Sequence, residues 1–384
     1  MPNVRSIMFL GPGLFTATMA MHQILHTTDA DVVTKTIQRL FPNVTYLRSH
    51  VSRIWGPTPN ILEQIFDAYP LFEFLLKAYA ARLCHVQMLI PFPLNVASLF
   101  EFLTSISINV QYVRPREDLP RIPIRRLRIL ELFQIDGSIP WWLFMAVGGM
   151  HNFESLEDLR LEFIRAAGAT REFPDSYFFV LFPSLNRLHI TGAAYVYTDI
   201  RSYFKDSYLD SLTIVDDPAD FMDTSENALE NVRVLKIGHR AGTPNEDRHS
   251  EEAVERLYNL PSSAEEATLR FVDYPLPQRI TWVNLRSLGM SVSIADKCRV
   301  ANLVRQLPRL NRLVIDCFSM IPADAKNTRF PDQKYVPKPL KDALKPSNRT
   351  PISQSLVHLE LMVRGSFDTY GFSELLSRLP QVTH

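Results

Sequence analysis

A short pattern of apolar positions, Leu-x-x-Leu-x-Leu, recurs along the chain, with other large apolar residues replacing leucine in some copies. In its clearest copy, Leu185, Leu188 and Ile190 hold the three positions. Residues two apart in a strand point to the same face, so Leu188 and Ile190 share one face while Arg187 and His189 share the other. Each copy therefore predicts a short strand with one apolar face.

Twelve copies of the pattern fit the chain in one consistent frame. Eleven begin at Val4, Val44, Leu83, Leu127, Leu156, Leu185, Leu209, Val232, Leu285, Leu310 and Leu356, and a degenerate copy ends at Leu269 and Phe271. The intervening segments 29–40, 61–83, 94–108, 141–147 and 296–307 have apolar residues at helical spacing. Strands joined by helices run parallel, and a repeated unit of this kind is typical of a solenoid.

The pattern predicts an α/β fold: one solenoid over residues 1–384, with a curved parallel sheet inside and helices outside. Its continuous core is predicted to contain the last two apolar positions of six copies: Leu130, Leu132, Leu159, Leu161, Leu188, Ile190, Leu235, Ile237, Leu313, Ile315, Leu359 and Leu361. Residues 321–352 are rich in proline and lysine and predict a flexible insertion. We expect no polar capping unit at either terminus. A globular α/β domain whose strands happen to match remains the alternative.

These residues resemble the leucine-rich repeats of the long, irregular variety, similar to those of fungal F-box-type proteins. The chain departs from that family in two ways. Where the family often places Asn or Cys after the third leucine, this chain has Ile135, Ile164, Ala193 and Arg240. The spacing between copies also varies from about 20 to about 46 residues, beyond the family's usual period.

The resemblance implies a non-enzymatic scaffold for protein–protein interaction, and more finely the substrate-recognition part of a cullin-type ubiquitin ligase. Residues 58–66 resemble the opening of an F-box, with Pro59, Ile61, Leu62, Ile65 and Phe66 in place. However, Thr58 replaces a leucine and one residue is missing, which favours a helix of the repeat array. An F-box in a fuller form of the chain, before Met1, is left open.

Side chains that alternate with the core positions must project from the concave sheet and form the expected binding face. The predicted partner-binding residues are Glu131, Phe133, Asp158, Arg160, Glu162, Arg187, His189, Thr191, Lys236, Arg270, Arg312, Asp316, His358 and Glu360. Both charge signs occur among them. We therefore expect a polypeptide partner of mixed charge, with a ubiquitin-ligase adaptor subunit as a second partner if the family resemblance extends to function. A solvated face, with the binding site in the long loops, is the alternative.

Composition and apolar patterning indicate which classes of partner and which cellular compartment the sequence favours. The chain has 41 Lys plus Arg and 41 Asp plus Glu, so net charge favours neither nucleic acid nor an anionic membrane. No stretch approaches the roughly 20 apolar residues of a membrane span, and Gly11-Pro12-Gly13 interrupts a run that could otherwise serve as a secretory signal. The 3 cysteines are odd in number and far apart, which favours the cytoplasm or nucleus.

Catalytic and cofactor motifs are missing from the sequence. It contains no phosphate-binding glycine loop, no nucleophile elbow and no His-Glu-x-x-His motif, so we predict no enzyme activity, no cofactor and no metal. The alternative is an enzyme with a loop-built, metal-dependent hydrolytic site in residues 238–252. Its candidate ligands are His239, Glu246, Asp247, His249, Glu251 and Glu252, although a solvated loop is the favoured interpretation.

Two further segments have more than one interpretation. Arg114, Arg116, Arg121, Arg125, Arg126 and Arg128 form a basic cluster, interpreted as a solvated loop rather than a nucleic-acid site because aromatic residues are sparse. Trp141 and Trp142 could anchor a partner, but tryptophans that open an amphipathic helix are more typical of a core.

Overall fold

We describe the protein from a computed structural model. The described residues are 4–10, 23, 29–50, 73–91, 100–110, 121–136, 139–145, 150–164, 179–193, 196–197, 208–216, 229–238, 248–270, 279–293, 303–318 and 355–364. The predicted insertion at 321–352, the F-box-like residues 58–66 and residues 239–247 of the candidate metal loop lie outside these ranges.

Parallel strands dominate the fold, as the pattern predicts for an α/β protein. The strands are β1 (Ser6–Leu10), β2 (Tyr46–His50), β3 (His85–Pro91), β4 (Ser105–Asn109), β5 (Ile129–Ile135), β6 (Met150–Asn152), β7 (Asp158–Phe163), β8 (Phe179–Leu181), β9 (Arg187–Thr191), β10 (Leu209–Val215), β11 (Val232–Gly238), β12 (Glu266–Arg270), β13 (Ser287–Ser293), β14 (Arg312–Phe318) and β15 (His358–Arg364). Within each of the two compact units described below, most of the strands pair with the next strand along the chain, and β6 pairs with β8 in a separate sheet of 2 strands.

The chain divides into two compact units. The N-terminal unit contains residues 1–189 and 203–207, and the C-terminal unit contains residues 190–202 and 208–384. In the N-terminal unit β1 to β5 and β7 pair in order and in parallel, and in the C-terminal unit β10 to β15 do the same.

Equivalent apolar positions of successive copies stand side by side in each sheet. In the N-terminal unit Leu130 pairs with Leu159, and Leu132 pairs with Leu161. In the C-terminal unit Leu235 pairs with Ala267, and Ile237 pairs with Leu269. Ten of the twelve predicted core residues are buried: Leu130, Leu132, Leu159, Leu161, Leu188, Ile190, Leu235, Ile237, Leu313 and Ile315. The apolar repeat therefore builds the core of each unit.

The last predicted copy departs from this rule. Leu359 lies in β15, which pairs with β14, and it is half-buried rather than buried. The side chain of Leu361 is outside the described set. Leu359 therefore lies at the margin of the predicted core, beside buried Leu313. Among the described strands of the C-terminal unit, β15 is the last in sheet order, so Leu359 has a described neighbouring strand on one side only.

A repeated hydrogen-bond pattern fixes the register where many of the described strands begin. The residue after the first apolar position uses its carbonyl oxygen to accept two N–H groups from the next copy. Thus Glu157 and Asp158 donate to the carbonyl of Arg128 at 2.9 and 3.0 Å, and Asn186 and Arg187 donate to that of Glu157 at 3.1 and 2.9 Å. The same arrangement recurs in the C-terminal unit at Glu265 and Arg286. Because a one-residue slip would turn every apolar side chain to the wrong face, this contact protects the core.

Turns just before the strands also stack on one another. In several of them the residue preceding the first apolar position is serine or arginine, and its side chain contacts the preceding turn. The hydroxyls of Ser155 and Ser184 donate to the carbonyls of Arg125 and Glu154 at 3.0 and 2.6 Å. The Arg126 guanidinium lies 4.9 Å above the ring centre of Phe102. Successive turns of the N-terminal unit are thus linked by hydrogen bonds from a side chain to the backbone and by a cation–π contact between two side chains.

Two helices of eight or more residues occur in the described part: α1 (Ala30–Leu40) and α2 (Arg248–Asn259). The predicted helix at 29–40 is confirmed, and the Asp29 carboxylate caps it by accepting the N–H of Asp31 at 2.9 Å. Residues 73–79 and 303–306 are also helical, and Trp141–Leu143 forms one turn of 3₁₀ helix. None of the described helices is both long and apolar enough to cross a bilayer.

Aromatic side chains fill the core behind the sheet in the N-terminal unit. Trp141, 5 % exposed, packs with its ring centre 5.8 Å from Phe153 and 5.6 Å from Phe182, and Phe144 lies 5.5 Å from Phe153. Trp141 is therefore a core residue, as its sequence context favours. In the C-terminal unit, buried Trp282 stacks on Tyr258 and donates its indole N–H to the Leu260 carbonyl at 2.9 Å.

One strand contradicts the helical pattern read from residues 94–108. Residues Ser105–Asn109 form β4, which pairs with β3 and β5. Leu103, Ile106 and Ile108 are buried at the three apolar positions of an additional copy. The helical spacing of residues 94–108 was the weaker signal there, because insertion between two strands of the sheet overrides local propensity.

Candidate interaction face

Charged and polar side chains line the face of the N-terminal sheet opposite the aliphatic core. Ser107, Glu131 and Arg160 occupy matching positions on β4, β5 and β7. Asp158 lies two residues before Arg160 on β7 and pairs with Ile129 of β5. Arg187 begins β9. We call the surface formed by Ser107, Glu131, Asp158, Arg160 and Arg187 the N-terminal polar face. Strand alternation places these side chains, because Ser107, Glu131 and Arg160 lie between two core positions and Asp158 and Arg187 each directly precede one.

Asp158 is the centre of this face. Its residue surface is only 3 % exposed, yet it carries a carboxylate, so its burial requires compensating charge and hydrogen bonds. Arg160 donates from Nε to Oδ1 at 3.2 Å and from Nη2 to Oδ2 at 3.1 Å. Arg187 Nε lies 3.4 Å from Oδ2 of the same carboxylate. The guanidinium groups of Arg160 on β7 and Arg187 on β9 therefore both contact the Asp158 carboxylate.

Charge and hydrogen bonding reinforce this arrangement. The hydrogen bonds from Arg160 to Asp158 raise the pKa of Arg160, and the negative charges of Asp158 and Glu131 raise it further against the lowering effect of burial. Glu131 is itself held in place, because Ser107 donates its hydroxyl to Oε2 at 2.9 Å. The face is thus a connected set of two acidic and two basic side chains with one hydroxyl.

The C-terminal unit has a separate polar face, formed by Lys236, Arg270, Arg312, His358 and Glu360. Arg312 Nη2 lies 3.4 Å from Glu360 Oε2, and His358 Nε2 lies 3.8 Å from the same oxygen. All three side chains are about half exposed. Lys236 and Arg270 are exposed on β11 and β12. Exposed pairs of this kind contribute little to stability, which leaves their charges accessible to a partner.

The remaining predicted binding residues occupy less open positions. Glu162, His189, Thr191 and Asp316 are half-buried. Phe133 is 4 % exposed and therefore offers little accessible surface to a partner. It lies beside a bulge in β5: the register against β7 shifts between Leu132 and Ile135, and Gln134 has a φ of 56°. Beyond Leu132 the strict alternation of faces no longer holds.

Sequence reasoning missed Ser107, which holds Glu131. The residue lies on β4, whereas the apolar spacing of residues 94–108 predicts a helix. The signal was present, since Leu103, Ile106 and Ile108 have the same spacing as every other copy.

The candidate metal site is not assembled within the described residues. His249, Glu251 and Glu252 lie in α2, and no group of three or more His, Cys, Asp or Glu side chains in the described ranges is placed to hold an ion. The other candidates, His239, Glu246 and Asp247, lie outside the described residues.

In comparisons with known proteins, the chain matches no family model, no curated protein and no solved structure.

Proposed function

We propose that this protein is a non-enzymatic scaffold that binds a polypeptide partner through the polar faces of its parallel sheet. We further propose that both units are built from irregular leucine-rich repeats. The repeated Leu-x-x-Leu-x-Leu positions, the in-register pairing of equivalent residues and the shared carbonyl at many strand starts support the second proposal.

A single observation carries the binding proposal. The N-terminal polar face presents half-exposed arginines that are positioned by a buried carboxylate, on the side of the strands away from the core. A stable sheet does not require this arrangement, because burying Asp158 costs desolvation free energy that an apolar residue would avoid. Fixed, accessible charges of both signs are suited to a protein partner of mixed charge.

The ubiquitin-ligase role is a finer and separate proposal. It depends on the F-box-like residues 58–66 and on the leucine-rich resemblance. Affinity capture tests it directly: recovery of the cullin adaptor subunit with the wild-type chain, and its loss when Ile65 and Phe66 are both changed to Ala, would support it. Failure to recover the adaptor would leave the scaffold proposal in place without a ligase role.

The scaffold proposal is tested by reversing charge on the N-terminal polar face. We expect Arg160→Glu combined with Arg187→Glu to remove partners that the wild-type chain captures, as measured by quantitative mass spectrometry. A thermal melt and circular dichroism must accompany the capture, because the substitution places two new carboxylates near buried Asp158.

A matched control is available in the same unit. Arg125 and Arg126 are both exposed and lie in the turn before β5, away from the polar face. Arg125→Glu with Arg126→Glu makes the same change in net charge, and we expect it to retain the captured partners. Equal capture by wild type and both folded variants would move the binding site off this face and overturn the proposal.

A further inference from the structure

The two arginines of the N-terminal polar face retain most of their hydrogen-bonding capacity. A guanidinium group has five N–H donors in a planar fork. Among the contacts of the described residues, Arg160 uses Nε and one Nη2 hydrogen to bind Asp158, and Arg187 approaches the same carboxylate with Nε. Both arginine side chains are about half exposed, at 49 and 50 %. Within the described part of the chain, the remaining N–H donors of these two half-exposed side chains are therefore open to a ligand.

Asp158 prepares these groups for binding. Two neighbouring guanidinium groups would repel each other and sample many rotamers if no anion held them. The buried carboxylate offsets part of that repulsion and fixes both side chains before a ligand arrives. Fixing a flexible side chain in advance reduces the entropy lost on association, which is the usual advantage of a pre-organised site.

The surrounding charges narrow the ligand class. Arginine forks match carboxylates with two parallel hydrogen bonds, so an acidic side chain fits the outward donors. A nucleic-acid backbone fits less well, because Glu131 stands directly beside Arg160 on the next strand and would repel a continuous row of phosphates. A polypeptide can place an acidic residue over the arginines and an uncharged or basic one over Glu131.

We propose that Arg160 and Arg187 form a carboxylate-binding site for an acidic segment of a partner polypeptide, positioned by Asp158. This inference rests on the proposed scaffold function and specifies the chemistry of the partner at that face. Glu131 lies beside Arg160 and repels further anions, so it limits the number of adjacent acidic groups that the face accepts.

The test uses the full chain and a short fluorescent peptide rich in glutamate and glycine, with a lysine-rich peptide and a single-stranded oligonucleotide of similar length as comparisons. Fluorescence anisotropy at low salt is expected to show preference for the glutamate peptide. We expect Arg187→Gln to weaken its binding about tenfold, as for loss of a charged hydrogen-bonding group. Arg187→Lys should weaken it by a similar factor, because lysine keeps the charge but lacks the fork.

Arg187→Gln is the primary variant because it leaves the bidentate pair between Arg160 and Asp158 intact, so the fold is retained. Arg125→Gln is the matched control, because it also removes one exposed positive charge, and it should change binding by less than about twofold, since exposed charges away from the site act only through screened long-range attraction. Equal weakening by control and Arg187→Gln, or tighter binding of the oligonucleotide than of the glutamate peptide, would overturn the proposal.

The outcomes also separate this inference from the scaffold function. If the charge-reversed face loses its captured partners but glutamate and lysine peptides bind equally, the carboxylate site is wrong and the scaffold stands. If capture is unaffected by charge reversal, the scaffold proposal fails at this face, whatever the peptides do.

Discussion

Arg187 at the start of β9 places its Nε 3.4 Å from the Oδ2 atom of Asp158, a buried carboxylate at the start of β7. The neighbouring acidic residue behaves differently. Glu157 forms an ion pair with Arg128 at 2.6 Å, but the side chains there are 32 and 59 % exposed. Asp158 and Glu157 thus both pair with arginine, but the Asp158 carboxylate is buried and the Glu157 carboxylate is partly exposed to solvent.

This contrast predicts a difference in stability. We expect Asp158→Asn to lower the free energy of unfolding by about 1–3 kcal/mol, because charge-assisted hydrogen bonds to a buried group are lost. Glu157→Gln should cost no more than about 1 kcal/mol, as for other exposed ion pairs. Urea unfolding of both variants measures the difference. Equal losses would show that burial of Asp158 has no energetic consequence.

A second prediction concerns the aliphatic core. Leu188 is 2 % exposed on β9, so Leu188→Ala should lower the free energy of unfolding by about 2–5 kcal/mol through lost burial and a residual cavity. Leu40 ends helix α1 and is 52 % exposed, so the same substitution there should have little effect. Chemical unfolding followed by circular dichroism checks both. A loss below about 1 kcal/mol at Leu188 would contradict its place in the core.

Much of the fold could be predicted from the sequence because the apolar spacing is itself the structural determinant. Each copy places its second and third apolar residues on one face of a strand, and the register pairs them with their equivalents, as at Leu130 and Leu159. The failures have local causes. Residues 105–109 form a strand despite helical spacing around them, and the bulge at Gln134 is set by backbone conformation that alternation does not encode.

The candidate site was predictable only in part, for a related reason. Alternation places Arg160 and Arg187 on the polar side. It does not indicate that Asp158 is buried between them, nor that Ser107 from an unrecognised strand holds Glu131. Such contacts depend on which strands are neighbours and on side-chain conformation, and neither follows from the spacing within one copy.

The bulge in β5 leads to a third prediction. Gln134 adopts a φ of 56°, a left-handed conformation that is strained for residues with a Cβ by roughly 1–2 kcal/mol. Gln134→Gly should therefore leave stability unchanged or raise it by up to about 1 kcal/mol, the gain being limited by the greater freedom of glycine in the unfolded chain. Gln134→Val should destabilise the protein, since a branched side chain tolerates this conformation less well. Thermal melts of the two variants should move in opposite directions or differ clearly in size, and a valine variant as stable as the glycine variant would contradict the prediction.

The last prediction concerns pH and the buried His151 on β6. The residue is 0 % exposed, and its Nδ1 donates to the Met145 carbonyl at 3.3 Å. Burial lowers the pKa of His151, the Met145 hydrogen bond partly opposes this, and the charge of Arg121 lowers the pKa further. The unfolded chain, in which histidine has its ordinary pKa of about 6.5, therefore binds the proton more readily than the folded chain does.

Stability must then fall as the pH decreases from about 6.5 toward the lowered pKa of folded His151, and this contribution is constant above about 6.5. The slope from this one group is at most about 1.4 kcal/mol per pH unit. His151→Phe removes the titrating group and should flatten the dependence, whatever its effect on absolute stability. Urea unfolding of the wild type and the variant at several pH values between about 5.5 and 7.5 measures the difference in slope. Parallel curves would show that His151 is protonated equally in the folded and unfolded states, which is incompatible with its burial beside Arg121.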